Sequence, residues 1–212
     1  MKLLQAILFI ILIRPLISIV IGMNIRNSQN LPLAGPAIVA ANHNSHLDTL
    51  TLMSIWPIQK VHLVRPVAAA DYFLSHWLLA WLSLNIMHIL PIDRKRTDPN
   101  VDPLAAPRNA LDQGEILLLF PEGSRGEPEQ RSRYKTGIAR LVEQRPDTPI
   151  IPVFMHGLGK SLPRGDFWLV PFFADAVIGD PIYWQGSIEE TMEAYETAME
   201  TLAEELDIPE WE

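Results

Sequence analysis

Short runs of apolar residues alternate with segments of helical periodicity along most of the chain, and polar or turn-forming residues separate them. Continuous apolar runs of this length predict buried strands, and longer periodic segments predict helices. Because the two alternate, the pattern predicts an α/β fold with a mostly parallel layered sheet flanked by helices. The predicted strands cover residues 37–41, 61–68, 86–92, 116–120, 150–155 and 168–178. The predicted helices cover residues 50–56, 72–84, 108–113, 136–143 and 188–206, the last capped by Ser187.

The segment from Leu3 to Met23 is nearly all apolar, with Arg14 and Pro15 in its middle. A spanning helix needs about 20 apolar residues, but a central Arg costs about 2.5–3.5 kcal/mol and Pro15 would kink the helix. We therefore predict two helical pieces in one leaflet, with the Arg14 side chain reaching the headgroups. A single span is the alternative, and the lack of a small-residue cleavage site argues against a signal peptide. Residues 1–26 are thus predicted as an N-terminal helical membrane anchor, and residues 27–212 as the α/β domain.

Composition and charge also favour contact with lipid. Hydrophobic residues make up 48% of the 212 residues, and Cys is absent, which excludes disulfides and thiolate chemistry. The net charge is −8, yet no acidic residue precedes Asp48, and residues 187–212 contain no Lys or Arg. The front of the chain can therefore approach an anionic membrane, whereas nucleic-acid binding has no support. Helix 72–84 is apolar on most of its circumference, which predicts a core helix; a groove for an acyl chain or bilayer contact is the alternative.

His43 and Asp48 flank the turn between a predicted strand and the following helix. Ser45 is predicted to cap this helix, which places Asp48 in the first turn, where its carboxylate can fold back to the imidazole. An Asp that accepts from one imidazole nitrogen leaves the other as a general base. A purely structural capping box from Ser45 to Asp48 explains the same residues, so the pair alone does not decide. The sequence contains no pattern typical of a metal site.

Polar residues follow three of the predicted strands at their ends. In an open α/β sheet, ligands bind outside the carboxyl ends of the strands, so these residues are expected to share one crevice. Arg binds phosphate in a bidentate manner, which suggests an anionic substrate. Gly123 and Gly137 would let the backbone approach a ligand closely. The three sites are His43 with Asp48, Asp93 with Arg94, and residues 122–125.

The sequence contains neither a Gly-x-Ser-x-Gly nucleophile elbow nor a phosphate-binding Gly-x-x-x-x-Gly-Lys loop. With a His base and no nucleophile, the simplest chemistry is direct transfer. The base takes a proton from a substrate hydroxyl, which then attacks an activated acyl group. A thioester is already activated, so this chemistry needs no covalent acyl-enzyme.

Several stretches resemble, in order and spacing, the motifs of the glycerolipid acyltransferase family over roughly residues 35–155. Ser124 stands where Thr is commoner in that family. The first and third motifs together are the specific signal. The matching stretches are Asn42-His43 with Asp48, Pro91-Ile92-Asp93-Arg94, Phe120-Pro121-Glu122-Gly123-Ser124-Arg125, Tyr134-Lys135-Thr136-Gly137 and Ile151-Pro152-Val153.

This resemblance implies an O-acyltransferase that moves a fatty acyl group from acyl-CoA or acyl carrier protein to a lysophospholipid hydroxyl. Within the family, the implied acceptor is 1-acyl-glycerol-3-phosphate, with phosphatidic acid as product. Another headgroup such as a lyso-ornithine lipid, a thioester hydrolase and a non-catalytic membrane-binding module remain alternatives. The resemblance also implies no cofactor or metal, and a location on the bilayer at the cytoplasmic face of the inner membrane. It implies His43 as general base, Asp48 as its orienting partner, and substrate binding by Asp93, Arg94, Glu122, Gly123, Ser124, Arg125, Lys135 and Gly137.

Overall fold

The computed structural model describes residues 2–45, 47–70, 77–93, 102–123, 133–158 and 172–206. Its seven strands form one sheet in the order β1-β7-β6-β2-β5-β3-β4. The strands are Ile21–Arg26 (β1), Ala37–Ala41 (β2), Val64–Ala69 (β3), Leu90–Ile92 (β4), Ile116–Leu119 (β5), Ile150–His156 (β6) and Phe172–Ile178 (β7). The helices are Lys2–Leu8 (α1), Arg14–Val20 (α2), Asp48–Ile55 (α3), Trp77–Asn85 (α4), Ala105–Asp112 (α5), Gly137–Val142 (α6) and Ile188–Glu204 (α7).

Neighbouring strands run parallel, except that β6 and β7 are antiparallel. The predicted mostly parallel α/β sheet is therefore confirmed. Strands β2 to β6 all end at one edge of the sheet, which we call the carboxyl edge, and β1 and β7 begin there. Because β5 lies between β2 and β3, the residues that follow β2 and β5 are neighbours at this edge.

The side chains of the central strands alternate between two hydrophobic clusters, one on each face of the sheet. Val39 of β2 belongs to the same cluster as Leu52 of α3 and Ile13 of the N-terminal segment. Ile38 belongs to the other cluster, with Leu141 of α6. All five residues of β2 are buried. This burial on both faces explains the continuous apolar run in its sequence and fixes the strand that leads into the His43 turn.

Some element bounds differ from those predicted, for identifiable reasons. The strand predicted over residues 86–92 is shortened to β4, because α4 continues to Asn85 and His88 adopts a positive φ of 54°. Helix α5 begins at Ala105 and includes Pro107, whose missing N–H costs nothing in a first turn. Helix α4 is wrongly predicted as core, since Trp77 is 77% exposed. Residues 71–76 and 159–171, which contain parts of two predicted elements, lie outside the described residues.

The N-terminal segment is helical through Val20, with a π-helical turn at Phe9–Ile13 between α1 and α2. Residues 21–26 are wrongly predicted as part of this helical segment. They form β1, which pairs in parallel with Phe172–Val177 of β7. Pairing with a strand about 150 residues away satisfies the backbone groups, and a local apolar pattern does not reveal such a partner.

Arg14 does not reach outward as predicted. Its guanidinium donates a hydrogen bond to the carbonyl of Trp56, the C-cap residue directly after α3. The last carbonyls of a helix lack intrahelical partners and carry partial negative charge, so they attract a cation. Among the residues that the structure describes, no helix combines the length and the apolar character needed to cross a membrane.

Candidate active site

The imidazole of His43 and the carboxylate of Asp48 meet at the carboxyl edge. His43 lies in the turn after β2, and Asp48 is the first residue of α3. Nδ1 of His43 and Oδ2 of Asp48 are 2.8 Å apart; the Asp48 side chain is fully buried and the His43 side chain is 20% exposed. The carboxylate thus takes the hydrogen bond of Nδ1 and leaves Nε2 to accept a proton from a substrate.

The same carboxylate oxygen of Asp48 also organises the turn. It accepts hydrogen bonds from the backbone N–H groups of Asn44 at 2.7 Å and Ser45 at 2.8 Å. The prediction that Ser45 caps α3 is wrong, because Leu47 occupies the N-cap position. The Ser45 hydroxyl instead accepts a hydrogen bond from the Leu47 N–H at 3.3 Å. Asp48 therefore organises the turn as well as contacting the imidazole, and the two amides that it occupies are not available to an oxyanion.

Asn42, to which the sequence assigned no individual role, ties the end of β2 to β6. Its side chain is buried, donates to the carbonyl of Met155 and accepts from the N–H of Met155, both at 2.7 Å. This amide continues the hydrogen-bonding pattern of the sheet by one position beyond the end of the strand. The residue that precedes His43 is thereby fixed on the side of β6.

Phe120 and Glu122, which follow β5, hold His43 from the other side. The Phe120 ring stacks on the imidazole, with ring centres 4.2 Å apart. Glu122 is buried, and its Oε1 accepts from the backbone N–H of His43 at 3.1 Å. Burial raises the pKa of Glu122 from 4.5 to about 7; the His43 hydrogen bond opposes this rise and the charge of Asp48 adds to it. The Glu122 carboxyl group therefore favours the folded state most below pH 4.5, and that contribution is lost as the pH rises to about 7.

A cavity of about 370 Å³ lies next to His43. It is enclosed by the ends of β4 and β5 and by helices α5 and α6. Phe120 lines the cavity and also stacks on His43, so the imidazole and the cavity adjoin. Its wall is apolar at Leu119 and Ile138. A cavity with apolar walls and a few polar groups is typical of a binding site for a small amphipathic molecule.

Among the described residues, the cations that line the cavity are Arg108, Lys135 and Arg140. Arg108 is paired with Asp102. Lys135 has no carboxylate within salt-bridge distance in the part of the chain that the structure describes, and its backbone N–H donates to Pro121 at 2.8 Å. Its side chain lies against Gly123, whose φ is +72° and where a Cβ would collide with it. The positive φ favours Gly in this turn, and the absence of a side chain leaves room for the Lys135 ammonium group beside it.

The predicted site residues fall into three groups. Asp48 and Glu122 each contact His43, as described above. Arg94, Ser124 and Arg125 lie outside the described residues. Arg140 lines the cavity but was not predicted. It lies three residues after Gly137 on α6, so helical spacing from Gly137 could have revealed it. The predicted residues that line the cavity are Asp93, Gly123, Lys135 and Gly137.

Comparison with known proteins shows which sequences and structures this chain is similar to. A family model described as Acyltransferase matches residues 22–156, which contain the His–Asp pair and the cavity. The 1-acyl-sn-glycerol-3-phosphate acyltransferase of Bacillus subtilis is 28% identical over 166 residues, covering 76% of this chain and 74% of that protein. A chloroplastic 1-acyl-sn-glycerol-3-phosphate acyltransferase of Arabidopsis thaliana is 28% identical over 144 residues, covering 68% of this chain. The match spans only 38% of that plant protein.

A solved structure has the same fold. The crystal structure of the 1-acyl-sn-glycerophosphate acyltransferase PlsC from Thermotoga maritima superposes with a TM-score of 0.69 at 20% identity. The match covers 90% of this chain and 74% of that one. Since the family model covers more than half of the chain, the resemblance seen in the sequence is confirmed, and the chain belongs to the Acyltransferase family of enzymes.

Proposed function

We propose that the protein transfers a fatty acyl group from an acyl thioester to the free hydroxyl of a lysophospholipid. The observation that carries this proposal is the His43–Asp48 pair, 2.8 Å apart, beside a cavity with apolar walls and cations. The names of the relatives favour 1-acyl-glycerol-3-phosphate as the acceptor and phosphatidic acid as the product. The donor is acyl-CoA or acyl carrier protein.

In the proposed reaction, Nε2 of His43 takes the proton from the acceptor hydroxyl while the hydroxyl oxygen attacks the thioester carbonyl carbon. The tetrahedral intermediate then breaks its carbon–sulfur bond, and the proton passes to the departing thiolate. Asp48 stabilises the imidazolium that forms between these steps. Positioned acid–base catalysis of this kind contributes about 10²–10⁴-fold to the rate.

The product assay tests the proposal directly. Purified protein is incubated with labelled acyl-CoA and a panel of lysolipids, and the products are identified by mass. Labelled phosphatidic acid is the expected product. Donor consumption without any lysolipid would instead indicate a thioester hydrolase, and labelled product from a lyso-ornithine lipid alone would indicate another headgroup.

Lys135 is proposed to bind the acceptor phosphate, because it is a cation at the cavity without a carboxylate partner among the described residues. A hydrogen bond to a charged group is worth about 1.5–3 kcal/mol, so Lys135→Met should raise the acceptor KM about tenfold or more. The kcat should change little, as expected for loss of uniform binding. Steady-state kinetics with 1-acyl-glycerol-3-phosphate measure this split.

Two controls sharpen the Lys135 experiment. Lys60→Met removes an equivalent charge from the turn that precedes β3, far from the carboxyl edge, and should leave the acceptor KM unchanged. With 1-acylglycerol, which lacks the phosphate, Lys135→Met and the unmodified protein should have similar KM values. A loss of kcat alone would contradict phosphate binding by Lys135.

The N-terminal helices are proposed to rest on the bilayer. Their outer side chains are apolar and exposed, which is costly in water and favourable in a lipid leaflet. Ile19, which is 81% exposed, and Phe173, which is 82% exposed, lie near the starts of β1 and β7, at the carboxyl edge. The apolar surface therefore reaches the same edge of the sheet as the catalytic pair. The exposed residues of the segment are Leu3, Leu4, Ile7, Ile10, Ile11, Leu12, Leu16 and Ile19.

Replacing Ile19 and Phe173 with Glu should weaken binding to phosphatidylglycerol-containing vesicles. Full burial of each side chain is worth about 1.5–3 kcal/mol, so the double variant should lose about tenfold or more in partitioning. Co-sedimentation measures the bound fraction. Leu33→Glu with Tyr183→Glu is the matched control, since both residues are exposed near the opposite edge of the sheet. Equal loss of binding in both double variants would contradict the proposed membrane face.

A further inference from the structure

The sequence predicts that Glu122 binds the acceptor, yet its side chain does not line the cavity. The residue is 4% exposed, and its Oε1 accepts from the backbone N–H of His43 at 3.1 Å. A carboxylate would also repel a phosphate. We infer that Glu122 is a positioning residue that fixes the backbone of His43 and does not touch the acceptor, an inference that rests on the proposed catalytic role of His43.

The sheet itself leaves a donor for Glu122 to satisfy. The ladder between β2 and β5 extends from Ala37 to Ala40 on β2, so the N–H of His43 lies beyond its last pair. A partly buried N–H without a partner is costly, and the chain must supply an acceptor. Glu122 follows β5 closely enough to place a carboxylate oxygen at this point. One side chain thus continues the β2–β5 pairing, as Asn42 continues the pairing with β6.

The second oxygen of Glu122 faces the interior. Oε2 is buried and has no hydrogen-bond partner among the described residues, and the same is true of the hydroxyl of Tyr195 on α7. Burial raises the pKa of Tyr195 on α7, with smaller contributions from Tyr134 and Glu122, so the buried carboxyl group of Glu122 lies near that helix as well as against the His43 turn. Such a location suits a structural pivot and does not suit a group that binds and releases substrate at each turnover.

The geometry requires an acceptor oxygen at Glu122 but does not require a negative charge. A neutral carboxyl group or an amide has an oxygen that accepts the His43 N–H equally well. Glu122→Gln should therefore preserve the function, and Glu122→Ala should remove it. A residue that recognised the substrate through its charge would lose its role in both variants.

Steady-state kinetics separate these roles. Glu122→Gln should keep kcat within about threefold of the unmodified protein, whereas Glu122→Ala should lower kcat by about tenfold or more, since a buried N–H loses its acceptor. The acceptor KM should stay within about twofold in both variants. Glu143→Gln, at an exposed position directly after α6, is the matched control. A raised acceptor KM in both variants with kcat retained would overturn the inference.

A measurement independent of acyl transfer keeps the two proposals distinguishable. The ring signals of His43 can be followed by NMR in detergent micelles with ¹³C-labelled histidine, assigned by their loss in His43→Ala. Glu122→Gln should leave these signals in place, and Glu122→Ala should shift or broaden them. If the protein transfers no acyl group but the signals behave in this way, the proposed function fails and the positioning role stands. Should Glu122→Ala not fold, displaced His43 signals in Glu122→Gln would still overturn the inference.

Discussion

Replacing His43 with Ala is expected to lower kcat for acyl transfer by about 10²–10⁴-fold, the usual contribution of a positioned general base. His43 presents Nε2 to the crevice, because Nδ1 is engaged by Asp48 at 2.8 Å. Without this imidazole, the acceptor hydroxyl keeps its proton during the attack on the thioester.

The fold should survive this substitution, which makes the loss interpretable. The His43 side chain is 20% exposed at the carboxyl edge, so water can enter the space that it leaves, and Asp48 keeps its hydrogen bonds from the N–H groups of Asn44 and Ser45. Circular dichroism and vesicle binding should match the unmodified protein. His62→Ala, in the turn before β3 and away from the carboxyl edge, is the control for removal of an imidazole. Near-normal kcat in His43→Ala would remove the basis of the proposed reaction, and unchanged vesicle binding with no transfer in any variant would favour a membrane-binding module.

The sequence predicts those parts of the site that depend on local order. Apolar runs place His43 and Asp93 after strands, and the carboxyl ends of parallel strands share one edge. The meeting of His43 and Asp48 depends on a turn of only a few residues, so it too follows from local sequence. For the same reason the start and composition of α7, with Ser187 as its N-cap, are predicted correctly.

Contacts that depend on strand order are not available from one sequence. Glu122 binds the N–H of a residue 79 positions earlier only because β5 lies between β2 and β3. Likewise, Arg14 binds the end of α3 and residues 21–26 pair with β7 because the fold supplies those partners. In each case tertiary hydrogen bonding outweighs the local sequence pattern. That pattern predicts an outward side chain for Arg14 and a helical conformation for residues 21–26. The motif predicts that Glu122 binds the substrate, because a sequence motif does not show that the Glu122 side chain is buried.

Asp48 offers the sharpest separation of charge from geometry at this site. In Asp48→Asn, the backbone N–H groups of Asn44 and Ser45 should hold the amide oxygen where Oδ2 now lies. His43 then keeps its Nδ1 hydrogen bond and its tautomer, and only the negative charge that stabilises the imidazolium is lost. We expect kcat to fall about 10²-fold, which corresponds to about 2.7 kcal/mol, with an unchanged acceptor KM.

Asp48→Ala should be worse in both activity and stability. It removes the acceptor of three hydrogen bonds, those from His43, Asn44 and Ser45. Each buried donor left unsatisfied costs about 1–3 kcal/mol, so the free energy of unfolding should fall by about 3 kcal/mol or more. Chemical denaturation measures this, with Asp147→Asn, an exposed loop position, as the control. Because Asn restores the oxygen and not the charge, equal kcat in Asp48→Asn and Asp48→Ala would mean that charge alone matters. A normal kcat in Asp48→Asn would mean that orientation of the imidazole alone suffices. Either result would leave the carboxylate with one role, whereas the geometry supports both orientation of the imidazole and stabilisation of its charge.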